Sequence, residues 1–144
     1  MRVVLSLFLM LASAAVLACE KDLAGIYSLQ DARGSFQPAL KLQWDKDHLT
    51  AFFLDKGSWV LSDEQPRPYT SEQFVTFTRQ AAPPGYCGVS FAGTIVAIVP
   101  KRWQWFGFTS QSGFVLITIG GPREAKRVSA YPSVKPMASL ILMK

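Results

Sequence analysis

"ALKLQWDKDHLTAFFLDKGSWVLS", residues 39–62, reads as three strands joined by two tight turns. Residues 39–44 alternate in polarity, "DKDH" (45–48) turns the chain, and "LTAFFL" (49–54) runs back. "DKG" (55–57) is a short hairpin connector with Gly57 available for positive φ, and "SWVLS" (58–62) completes the meander.

The same grammar extends in both directions. "LAGIYSL" (23–29) precedes the meander, and the polar loop "DEQPRPYTSE" (63–72) follows it. "QFVTFTR" (73–79) is rich in β-branched and aromatic residues and is expected as a strand; Thr70 with Gln73 also fits a helix capping box, the competing reading. After the loop "AAPPGYCG" (81–88), the most apolar run, "VSFAGTIVAIV" (89–99), is stopped by Pro100. "RWQWFGF" (102–108) and "FVLITI" (114–119) flank a hairpin signal, "TSQSG", and "GGPREAKR" (120–127) reads as a basic loop. "VSAY" (128–131) and "ASLILM" (138–143) finish the chain. About eight short strands at roughly ten-residue spacing predict an all-β fold, a single small antiparallel barrel or sandwich.

Residues 1–18 stand apart. Arg2, the apolar run Val3–Leu11 and the small residues after it have the pattern of a secretory signal peptide, which leaves 19–144 as one domain. No later stretch is long and apolar enough to span a membrane. Charge is uneven: residues 19–64 hold five bases against eight acids, and residues 65–144 hold nine bases against two acids. The later half therefore carries the positive field.

Val16-Leu17-Ala18-Cys19 resembles a bacterial lipoprotein cleavage site, which implies a diacylglycerol on the Cys19 sulfur. The alternative pairs Cys19 with Cys87, the second of the two cysteines, in a disulfide suited to an oxidising compartment. The two exclude each other because acylation consumes the thiol. The bridge is the expectation, since lipidation would strand a loop thiol at Cys87. Gly25-Ile26-Tyr27 resembles the Gly-x-aromatic motif in the first strand of lipocalin-like barrels, which implies a barrel carrying a small apolar ligand. A strand bulge at Gly25 beside a buried Tyr27 accounts for the same residues.

Catalytic patterns are absent from the sequence. His48 is the one histidine and shares a turn with Asp45 and Asp47, too local to converge on a reacting atom. Ser90 in "GVSFAG" lacks the strand-to-helix context of a nucleophile elbow. One histidine and two separated cysteines cannot make a zinc set, so no metal or cofactor is expected. Aromatic and basic residues are the better candidates. Trp103 and Trp105 share a face of "RWQWFGF", and Arg102, Arg123, Lys126 and Arg127 supply positive charge for a partner or ligand surface. Export argues against nucleic acid. The expected function is an exported, non-catalytic binding protein, of inhibitor or immunity type, that occludes a protein partner. The alternatives are a lipocalin-like carrier and an envelope lipoprotein that meets the membrane only through Cys19.

Overall fold

The structure is a computed structural model that describes residues 18–118 and 120–128. Residues 1–17 of the expected signal peptide (1–18) and the expected strand at 138–143 lie outside the described residues, as does all of 128–131 beyond Val128. The strands are β1 (Gly25–Gln30), β2 (Phe36–Asp45), β3 (His48–Asp55), β4 (Ser58–Leu61), β5 (Arg67–Pro68), β6 (Cys87–Phe91), β7 (Thr94–Ile98), β8 (Gln104–Trp105), β9 (Phe108–Thr109), β10 (Phe114–Thr118) and β11 (Gly121–Val128), with one helix, α1 (Ser71–Thr78), between β5 and β6. Residues 18–23 form a helical turn ahead of β1.

Among the described residues, nine strands make one curled antiparallel sheet, a half-barrel in the order β4-β3-β2-β1-β11-β10-β7-β6-β5, and β8 with β9 makes a separate two-stranded ribbon. The all-β expectation holds, with nine strands plus two among the described residues in place of about eight. The meander is present as read. Asp55 pairs with Ser58 across Lys56–Gly57, and both turn residues have positive φ, 46° and 83°.

Five local readings are corrected. Residues 71–78 are helical: the Thr70 side chain accepts the Gln73 N–H at 3.2 Å while the Gln73 side chain accepts the Thr70 N–H at 2.8 Å. That box, together with burial of Phe74 and Thr78 one turn apart, outweighs the strand preference of the intervening residues. The run 89–99 is a hairpin, not one strand, because Ala92 and Gly93 take positive φ. Residues 102–108 are likewise broken by a turn, and 121–128 is a strand, not a basic loop. The bulge in β1 falls between Tyr27 and Ser28 rather than at Gly25. A Cβ at Gly25 would lie 3.0 Å from Arg127 Nε, so a larger residue there would have to displace that side chain by a few tenths of an ångström.

Alternation sends one set of side chains to each face. The concave face is filled by Tyr27, Leu40, Leu42, Leu49, Ala51, Val89, Phe91, Val96, Leu116 and Ala125. Phe53 and Phe91 meet across this face from β3 and β6, 5.8 Å between ring centroids. The N-terminal turn closes one end of it. Leu23 is fully buried there and its carbonyl accepts the Tyr27 hydroxyl at 2.6 Å. Cys19 is disulfide-bonded to Cys87, with Cα atoms 5.5 Å apart. The sulfur that a lipid would take is thus held in a bridge. No helix among the described residues is long and apolar enough to cross a membrane.

The second core lies on the outer face of β7 and β10. Ile95, Ala97, Val115 and Ile117 point outward there and are covered by Phe74 of α1 and Trp105 of the ribbon. β7 and β10 are therefore apolar on both faces, which explains why their sequences read as continuous hydrophobic runs.

Candidate functional site

The outer layer carries an exposed aromatic surface. An aromatic series starts in the core and ends in solvent. Tyr86 packs on Phe74 (4.5 Å between centroids), Phe74 on Trp103 (5.7 Å), and Trp103 stacks on Trp105 (6.2 Å). Trp105 then touches Phe77 of α1 at 5.5 Å and Phe106 at 5.1 Å. Phe77 is 48% exposed and Phe106 is 87% exposed.

Each member is held by its element. The helix ends where Arg79 enters the left-handed region (φ 59°) and returns its N–H to the Val75 carbonyl. The Thr78 carbonyl, freed by that ending, accepts the Trp105 indole N–H at 3.2 Å. In the ribbon Gln104 pairs with Thr109 and Trp105 with Phe108, leaving Phe106 and Gly107 as a two-residue turn. Both have positive φ, 48° and 75°, the signature of a type I′ turn. Gly107 suits it. Phe106 does not: a bulky residue in the left-handed region costs about 1 kcal/mol or more. The following loop is pinned from behind by buried Glu124, whose carboxylate accepts the N–H groups of Gln111 (3.1 Å) and Ser112 (2.6 Å).

The residues singled out in the sequence separate into two groups. Arg102, Trp103 and Trp105 belong to this layer, with Arg102 exposed at positive φ (68°) and Trp105 mostly buried. Arg123, Lys126 and Arg127 lie on β11, where Lys126 and Arg127 project to opposite faces. The Lys126 ammonium sits 5.7 Å from the Phe36 ring, and Arg127 lies over Tyr27 and Phe114 while donating to the Asp22 carbonyl. Arg127 thus ties the last described strand to the N-terminal turn. Sequence reasoning misses Phe77 and Phe106. The signal for Phe106 is a glycine between two aromatics in "WFGF", and Phe77 requires the helix to be read.

Elsewhere the chemistry stays local. His48 Nδ1 and Asp47 Oδ1 are 2.9 Å apart in an exposed turn, and this hydrogen bond holds the Asp47 carboxyl below its ordinary range. Ser90 lies within an antiparallel strand opposite Arg67. Burial raises the Tyr86 phenol far above the usual tyrosine value, with nearby Tyr69 adding to it, and burial also raises Tyr27 against the opposing pull of Arg127. In the unfolded chain these phenols ionise near 10.0, so the stability they contribute is complete below that pH and is lost as pH rises above it. Urea midpoints are expected to fall steadily above pH 10.0, and Tyr86→Phe should make the decline shallower. A midpoint independent of alkaline pH would contradict this.

No protein-family model, curated protein or solved structure matches the chain.

Proposed function

We propose that this is an exported, non-catalytic binding protein that occludes a protein partner, with Phe106 as the anchor and Trp105 and Phe77 as its base. The observation that carries the reading is Phe106 itself: a large apolar side chain 87% exposed, held at a strained positive φ on the tip of a two-residue hairpin. Strain of this kind persists where the surrounding structure imposes it, and it concentrates at functional sites. Aromatic side chains are frequent anchors in partner pockets. Arg79 and Arg102 flank the layer in sequence and favour an acidic partner surface, as for a small inhibitor or immunity protein seated on its target. The Cys19–Cys87 bridge is compatible with an oxidising, extracytoplasmic compartment. A carrier of a small apolar ligand is less well supported, because packed side chains occupy the concave face. A lipid-anchored role is less well supported because Cys19 is bridged.

Phe106→Asn separates anchor from fold. Asn tolerates the left-handed region, so the variant should be more stable than the parent by about 1 kcal/mol in urea unfolding. The same variant should lose a protein that the parent retains stoichiometrically from an extracytoplasmic extract. Equal retention by both proteins, or retention by neither, would sink the proposal.

A further inference from the structure

The outer face of the large sheet is layered on one half only. α1 and the β8–β9 ribbon cover β7 and β10, whereas among the described residues no second layer lies over β1 to β4. That half is nonetheless apolar. Alternation turns Ile26, Lys41, Phe52, Leu54, Trp59 and Leu61 away from the concave core. Four of them form a row across the strands. Val128 of β11 is opposite Ile26, Ile26 is opposite Lys41, Lys41 is opposite Phe52, and Phe52 is opposite Leu61. The row thus begins at the last described residue and crosses β1, β2, β3 and β4. Leu54 and Trp59 pair beside it. The Lys41 ammonium lies 4.2 Å from the Phe52 ring centroid and 5.8 Å from that of Trp59, so its alkyl stem adds to the patch. Burial holds its pKa below the ordinary lysine value. Leu61 is 48% exposed, and Ile26, Leu54 and Trp59 are half-buried.

We infer that this face is the docking site for residues 138–143 of the same chain, "ASLILM". Reach, composition and charge select that occupant. Neighbouring strands lie about 4.8 Å apart, so the row from Val128 to Leu61 is about 19 Å long. The nine residues between Val128 and Ala138 reach up to about 30 Å when extended. Pro132 and Pro136 among them oppose further pairing along the β11 ladder. Leu140, Ile141, Leu142 and Met143 are consecutive large apolar residues, a run that favours burial. The concave face is already filled and the other outer half is already covered, which leaves β1 to β4. Charge agrees. Residues 129–144 hold two lysines and no acid, whereas residues 19–64, which include this face, hold five bases against eight acids. The exposed aromatics Phe77 and Phe106 are a poorer match, because Arg79, Lys101 and Arg102 flank them in sequence with charge of the same sign as the segment. The docking does not depend on what the aromatic site binds.

Cys19 and Cys87 are bridged, so one added cysteine can carry a nitroxide on the full chain. Attached through Gln43→Cys, an exposed position of β2 on the same face, the nitroxide should broaden the amide signals of residues 138–143 in nuclear magnetic resonance spectra. Attached through Val75→Cys, on the exposed side of α1, it should not. Leu140→Lys combined with Leu142→Lys should abolish the broadening from position 43. The same pair should shift the fluorine signal of fluorotryptophan at Trp59 and raise the acetylation rate of Lys41 severalfold. The Trp103 and Trp105 signals should stay in place, which reports an intact fold. Broadening of residues 138–143 from neither position, or as strong from position 75 as from position 43, would overturn the inference. So would a Trp59 signal in the parent that moves with protein concentration, which would give the face to a second copy.

Discussion

Replacing both Cys19 and Cys87 by alanine is expected to lower the unfolding free energy by about 4 kcal/mol, the loop-entropy value for a bridge of this span. The bridge joins residues separated by 68 positions and ties the N-terminal turn to the start of β6. It also holds Leu23, whose carbonyl accepts the buried Tyr27 hydroxyl, so the loss should spread into the concave core. Urea unfolding of the parent and the double variant, each by tryptophan fluorescence, measures the difference. A change below about 1 kcal/mol would show that the turn contributes little, since typical disulfides contribute about 2–4 kcal/mol. Intact mass gives an independent check: the parent should be two hydrogens lighter than its reduced form and carry no diacylglyceryl group.

Phe74→Ala should cost about 3–5 kcal/mol, the range for truncating a fully buried phenylalanine. Phe74 is completely inaccessible, contacts Tyr86 and Trp103, and is the residue through which α1 grips the outer face of β7 and β10. Its removal should flatten the near-ultraviolet dichroism of Trp103 and Trp105 before the sheet unfolds. A loss of less than about 1 kcal/mol would mean that the outer layer collapses into the vacated space, since the cost of such a truncation scales with the cavity that remains.

How far the fold can be read from the sequence depends on where each instruction resides. The β2–β4 meander is legible because alternation and turn chemistry are local, and Lys56–Gly57 turns where the glycine indicates. The helix is half legible: the capping pair Thr70 and Gln73 is visible, but Phe74, Val75, Thr76, Phe77 and Thr78 favour strands when isolated. Only burial of Phe74 and Thr78 against strands distant in sequence resolves that conflict. Two hairpins are hidden for a shared reason. Ala92–Gly93 and Phe106–Gly107 place a residue poorly suited to positive φ at the first turn position, so their turns do not resemble the usual Asn-Gly or Asp-Gly signal. Of the candidate site, Trp103 and Trp105 are legible from composition. The opposite facing of Lys126 and Arg127 is not, because "GGPREAKR" has the composition of a loop and becomes a strand only through pairing with β1 and β10.

The position of β1 has a kinetic consequence. It lies between β2, its neighbour in sequence, and β11, the last described strand, and a hydrogen bond from the Ser28 hydroxyl to the Lys126 carbonyl spans 98 residues. One side of β1 can pair as soon as the meander emerges, but the other must wait until β11, about a hundred residues later, has been synthesised. Pairings so remote in sequence slow folding, because closure entropy is lost before the contacts form. A nascent chain of this topology therefore keeps one side of its central strand open until β11 has been made.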